Sequence, residues 1–122
     1  MPLDYLDFDY SEDTEGVGVF DAMASAAPER LAALHAEVAR VLAWAHEHFP
    51  DRRGAVGEDG DWDYDLQALR EDSRSEILEF DEASGRIEVR PGPVAGTRHT
   101  VTLSISGTPD FCAAFRARFG AG

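Results

Sequence analysis

The sequence predicts one α+β domain spanning residues 1–122, with two layers: a mostly antiparallel sheet, and a long helix and a short C-terminal helix packed on one face. Two observations support this fold class. Segments in which apolar and polar residues alternate, as in half-buried strands, are separated by short turns, and two further segments have helical spacing. Short turns between strands favour antiparallel pairing. The predicted order of elements is ββαββββα, and a chain of 122 residues has the length of one domain.

The first half of the chain contains two predicted strands and the long helix. Residues 3–10 alternate as a strand, 11–16 form a polar turn, and 17–25 form a second strand that pairs back on the first. The helix begins near Pro28, a residue favoured in a first turn, and ends at Phe49, which precedes a proline. Its predicted apolar stripe consists of Leu31, Leu34, Val38, Val41, Leu42, Ala45 and Phe49.

The second half contains four predicted strand segments. Residues 61–69 alternate strictly, and 76–90 form a hairpin that turns at 82–85, where a glycine can take a positive φ. Residues 91–96 (PGPVAG) are predicted to form a loop, and 99–106 alternate again as the last strand.

The short C-terminal helix is predicted from its first residues. Thr108 is a capping residue and Pro109 is suited to the first helical position. Cys112 lies early in this helix, where the helix dipole lowers a thiol pKa, but its neighbours are apolar. A lone cysteine in such surroundings is usually a packing residue, and the sequence contains no diagnostic catalytic motif around it.

The charge balance limits the classes of partner. A net charge of −13 argues against nucleic acid and anionic membranes, because their binders need basic patches. The N-terminal residues lack the basic and apolar regions of a secretory signal, and no apolar stretch approaches the ~20 residues of a membrane span. The absence of lysine and asparagine suggests a GC-rich bacterial genome. We therefore expect a cytoplasmic protein without cofactor, monomeric or a weak homodimer.

The most distinctive stretch is GEDGDWDYDLQ, residues 57–67, in which acidic residues recur at alternate positions. Started at Asp59, an EF-hand loop would place Tyr64 at its obligatory glycine and Arg70 at its closing glutamate. Started at Asp61, the glycine is again missing. The alternating bulky residues instead favour the solvated face of a strand. A looser divalent-metal site formed by Glu58, Asp59 and Asp61 remains as a weak alternative.

The histidines and one tryptophan are further candidates. His46 and His48 lie two positions apart on a helix and point in widely different directions, so they cannot share a metal ion. Trp44 projects roughly opposite the predicted apolar stripe. It either packs under another element or is an exposed anchor for a partner protein.

The charges are distributed unevenly along the chain. Residues 1–29 hold eight acidic residues and no basic one, whereas 90–122 hold four arginines and one aspartate. If the first hairpin and residues 58–65 are neighbours in the fold, they form one negative surface. Such a surface speeds the encounter with a basic partner, although it can also serve only to keep the protein in solution.

Two function classes follow. The first is a non-catalytic binding module for a basic protein partner, of the inhibitor, immunity or mimic type. The alternative is a small enzyme or a ligand- or metal-binding domain whose site combines sequence-distant carboxylates with His99 or with the histidines of residues 46–48. The predicted interaction residues are Asp7, Asp9, Asp59, Asp61, Asp63, Asp65 and Trp44.

Overall fold

The computed structural model describes residues 3–56 and 60–120. Six elements follow one another along the chain: strands and helices in the order ββαββα. Their bounds are β1 Asp9–Glu12, β2 Gly18–Ala26, α1 Pro28–His48, β3 Trp62–Asp81, β4 Arg86–Gly107 and α2 Pro109–Phe119. The fold is α+β with an antiparallel sheet, a long helix and a short C-terminal helix, which confirms the predicted fold class.

The sheet has the strand order β1-β2-β4-β3, so β1 and β3 lie at its two edges. One face is packed against the helices, because alternate residues of the central strands are buried in a single cluster with residues of α1 and α2. Phe20 of β2, Leu103 and Ile105 of β4 and Trp62 of β3 are wholly buried there. No helix of the described residues covers the other face, and we call it the open face.

The four strand segments predicted for the second half form two long strands. The β3–β4 ladder runs from Trp62↔Gly107 to Asp81↔Arg86 and shifts register once, between Arg74 and Glu76. This irregularity divides each long strand into two segments. The predicted loop 91–96 is wrong, because these residues belong to β4. The excess residues are absorbed as a bulge, and Gly92 approaches Ser75 too closely for any side chain.

The first strand is shorter and later than predicted. Residues 3–8 precede β1 and are not paired in the sheet. Leu6 and Phe8 alternate with polar residues because both side chains are buried against the core. The predicted turn at residues 82–85 is confirmed, since it connects β3 to β4 and Gly85 has a φ of +70°. The predicted turn at 11–16 is shorter, because residues 11 and 12 belong to β1.

Both helices begin where their sequences predict, and α1 ends at His48, one residue before the predicted Phe49. Pro28 and Pro109 occupy first turns, and the Thr108 hydroxyl accepts a hydrogen bond from the N–H of Phe111. Gly107 allows the chain to enter α2, because a Cβ there would meet the Phe111 ring at 2.3 Å. Neither helix, within the described residues, combines the length and apolar character needed to cross a bilayer.

Candidate interaction surface

The open face is built by the outward residues of all four strands. Its centre is a column of half-buried hydroxyls on β4, with acidic residues on the neighbouring strands. Strand register places these residues in rows, because cross-strand partners share a face. The residues of the open face are Asp9, Val19, Asp21, Met23, Ser25, Asp63, Asp65, Gln67, Leu69, Thr100, Thr102, Ser104 and Ser106.

One row of the open face carries three carboxylates. Asp9 pairs with Asp21, Asp21 with Ser104, and Ser104 with Asp65. At a strand spacing of about 4.8 Å the row spans roughly 14 Å. Among the described residues, no salt bridge joins an arginine to Asp9, Asp21 or Asp65. Like charges opposite each other on adjacent strands destabilise a sheet, so the pair Asp9 and Asp21 is unfavourable for folding, whereas Ser104 separates Asp21 from Asp65.

Two other predicted interaction residues already have arginine partners. Arg52 donates to both carboxylate oxygens of Asp61, at 2.8 and 3.0 Å, and the hydrogen bonds lower the pKa of Asp61. Arg53 donates to Asp63 at 2.9 Å and covers the ring of Tyr64. These two salt bridges therefore hold the loop that contains Arg52 and Arg53 against the start of β3. The charges of Asp61 and Asp63 are largely neutralised within the chain.

Trp44 belongs to the core, so of the two alternatives for this residue packing under another element is confirmed, and its place among the predicted interaction residues is wrong. It is 9% exposed, and its ring contacts those of Phe49 on α1 and Phe111, Phe115 and Phe119 on α2. The buried stripe of α1 lies further round the helix than predicted, through Leu34, Glu37, Val38, Val41, Trp44 and Ala45. The cause is α2, which covers the flank of α1 that the sheet alone would leave open.

The negative surface predicted from the first hairpin and residues 58–65 is only partly assembled. The first hairpin, β1 and β2, is not adjacent to the start of β3 in the sheet, because β4 lies between β2 and β3. They nevertheless contribute to the same face through Asp9, Asp21 and Asp65. Asp7 is exposed just before β1. Asp59 and Glu58 lie outside the described residues.

The described residues considered for metal binding or catalysis form no cluster of metal-binding side chains. In residues 3–56 and 60–120 there is no group of three or more side chains that could hold a metal ion. His46 contacts the Trp62 ring edge-on, His48 stacks on Trp44, and His99 lies on β4 opposite Ala26 and Arg70. Asp61, the described member of the weak metal candidate, is engaged by Arg52.

One buried carboxylate escaped the sequence-based prediction. Glu37 of α1 is only 5% exposed and accepts hydrogen bonds from three successive backbone N–H groups, those of Asp4, Tyr5 and Leu6; the last two measure 2.8 and 2.9 Å. Arg40 lies one turn further along, 3.7 Å from the same carboxylate. The only available signal was a glutamate beside the apolar stripe, which resembles any solvated helix residue.

A second group of ionisable residues lies where β1 meets α2. The Tyr10 hydroxyl donates to Glu12 at 2.7 Å, and this bond is the main cause that raises the pKa of Tyr10 to about 12. Burial raises the pKa of the neighbouring Cys112 thiol, which donates to the carbonyl of Gly107. Both groups are held in their protonated forms, as expected of structural residues rather than of a nucleophile and its base.

Two apolar features complete the surface. A groove of about 470 Å³ between α1 and β3 is lined by His35, Val38, Ala39, Leu42, Leu66, Gln67, Ala68 and Val101. The second feature is the arm, residues 70–98, where β3 and β4 continue as a two-stranded ribbon beyond the helices. No side chain described in the arm is buried.

Comparison of the chain with models of protein families, with curated proteins and with solved structures finds no match. The function is therefore argued from the surface itself.

Proposed function

We propose that the chain is a cytoplasmic, non-catalytic binding module that engages a basic protein surface through its open face. The observation that carries the proposal is the row Asp9–Asp21–Asp65. Asp9 and Asp21 oppose each other on adjacent strands at a cost to folding, Asp65 adds a third carboxylate on the far side of Ser104, and a basic partner would offset that cost. Complementary charge of this kind mainly sets the rate and specificity of association.

The chemistry of the surrounding face supports a protein partner. The Ser and Thr hydroxyls of β4 donate and accept hydrogen bonds, and exposed Met23 and Leu69 supply apolar contact on either side of the β4 column. The open face has a depression of about 540 Å³, in which Glu71 is the single ionisable lining residue. In the groove near α1 the single ionisable lining residue is His35, so neither cavity combines the titratable groups that catalysis needs.

Affinity capture with matched variants tests the proposal. The chain is immobilised as wild type, as the D9N/D21N/D65N variant and as the control E29Q/E47Q/D51N, which removes three exposed charges from α1 and the following loop. Nuclease-treated lysate of the source organism is applied, and retained proteins are identified while salt is raised. We expect a defined basic protein on wild type and control, released by salt, and at least tenfold less on the open-face variant.

Equal retention on all three baits would show that net charge rather than the open face captures proteins. A wild-type bait that retains no basic protein at low salt would also contradict the proposal.

A further inference from the structure

The end of the arm carries apolar residues that nothing in the described chain covers. Leu78 pairs with Val89 and Phe80 with Ile87, so these four side chains share one face of the ribbon. They are between 56% and 64% exposed. A two-stranded ribbon without a layer behind it is marginally stable in water, and a cluster of exposed apolar residues usually marks a surface that another molecule covers.

The outer edge of β3 is also available for pairing. At its start the edge is occupied, because the N–H of Gly54 donates to the carbonyl of Trp62 at 2.9 Å. The backbone groups of Trp62 thus point away from β4, and by alternation those of the even-numbered residues that follow point to the same free edge. From Tyr64 to Asp81 no described strand pairs there. Such an edge is a template for another strand.

The even-numbered residues of this edge are complementary to themselves in the antiparallel direction. A two-fold axis at Ser73 brings the outward backbone groups of two copies together and sets apolar residues against apolar ones and acids against arginines. The pairs are Leu66 with Phe80, Ala68 with Leu78, Arg70 with Glu76, and Asp72 with Arg74 of the other copy. Each pair occurs twice, as in any isologous interface.

Two-fold axes one or two residues away from Ser73 do not give complementary pairs. An axis at Asp72 sets Arg70 against Arg74, and an axis at Arg74 sets Asp72 against Glu76. Axes at Glu71 or Ser75 place apolar residues opposite charged ones. The odd-numbered residues lie on the opposite face of the paired strands, and there the Ser73 register brings Leu69 against Ile77 of the other copy. Its one pair of like charges, Asp65 with Asp81, lies at the two ends of the paired region.

The groove and the charge distribution favour the same arrangement. Leu66 and Ala68, which line the groove beside α1, are the residues that Phe80 and Leu78 of a second copy would meet. The arm holds five arginines and seven acidic residues, a net charge of −2, whereas the rest of the chain carries −11. The arm therefore repels a second copy less than the strongly negative remainder of the chain does as a whole.

We propose that two copies of the chain associate through the free edge of β3, antiparallel about a two-fold axis at Ser73, with the arm tip of each copy against the groove of the other. This inference is independent of the proposed function, because it uses the edge of the sheet and not its open face.

Charge reversal tests the register. Wild type should have twice the monomer mass of 13.3 kDa by light scattering after size exclusion. R70E and E76R should each weaken the dimer at least tenfold, since each sets like charges together twice. The two variants mixed, and the double variant R70E/E76R, should recover it. Positions 70 and 76 lie about 20 Å apart along one strand, so this recovery requires contact between copies. R98E and E88R, matched changes on β4, should remain dimeric.

Cysteine cross-linking gives a second readout. S73C should form a disulfide between copies on mild oxidation, because Ser73 faces itself across the axis at a Cα distance suited to a disulfide. E71C should not, since the axis places its two copies about 13 Å apart. A wild type that stays monomeric at about a hundred micromolar would overturn the proposal, as would a dimer indifferent to R70E and E76R.

Discussion

Removal of the Glu37 carboxylate should be the most damaging single polar change in the chain. The side chain accepts the N–H groups of Asp4, Tyr5 and Leu6, and the Leu6 bond is buried. A hydrogen bond to a charged group contributes about 1.5–3 kcal/mol, and a buried donor left without a partner costs about 1–3 kcal/mol. The N–H groups of Asp4 and Tyr5 are partly exposed, so water can accept their hydrogen bonds when the carboxylate is removed.

We therefore expect Glu37→Ala to lower the free energy of unfolding by about 2–4 kcal/mol, with the N-terminal segment released from α1. Urea unfolding followed by circular dichroism measures the change, and hydrogen exchange at residues 4–6 reports the release. Glu47→Ala, on the exposed side of the same helix, is the control and should change stability by less than about 0.5 kcal/mol. If the two variants unfold alike, the buried carboxylate does not anchor the segment.

Three further predictions concern the aromatic core and the corner between β1 and α2. Trp44→Ala should lower the free energy of unfolding by about 3–5 kcal/mol, whereas truncation of an exposed anchor would leave the urea midpoint nearly unchanged. Tyr10 should ionise with a pKa of about 12; the folded state favours its neutral form, so its contribution to stability is intact below pH 10 and is lost as the pH rises towards 12. Tyrosinate absorbance measures this, and Glu12→Gln should shift the titration of Tyr10 to lower pH. Cys112 should resist thiol reagents in the folded state and react rapidly in denaturant, because it is buried with a raised pKa; fast labelling of folded protein would refute that account.

The fold class was predictable because it depends on local patterns. The prolines at 28 and 109 and the turn before Gly85 mark element boundaries through backbone geometry alone, and the alternation of residues 99–106 matches the buried side of β4. The loop prediction for 91–96 failed because proline and glycine normally end strands, whereas here they form a bulge that the partner strand bridges. Proline and glycine act on the local backbone only, so they cannot reveal that β3 and β4 continue to pair beyond the bulge.

The positions of the candidate residues were harder to predict, since tertiary contacts decide them. Trp44 was placed on the polar side of α1 because its burial comes from α2, an element more than sixty residues later in the chain. Asp61 and Asp63 were predicted as interaction residues on the solvated face of a strand, but Arg52 and Arg53 of the preceding loop form salt bridges with them. Asp9 and Asp65 share a row of the open face only because β2 and β4 pair between them.

The two proposed surfaces reinforce each other geometrically. A two-fold axis through the edge of β3, perpendicular to the sheet, joins two four-stranded sheets into one of eight strands and places both open faces on the same side. The rows Asp9–Asp21–Asp65 of the two copies then face a partner together, and a partner with two basic patches would bind with the gain that linked sites provide. R70E separates the copies without altering either row, and D9N/D21N, which leaves β3 unchanged, removes two of the three carboxylates of each row without altering the edge. Loss of binding in the first variant would therefore measure the gain from pairing, and loss in the second the contribution of the face itself.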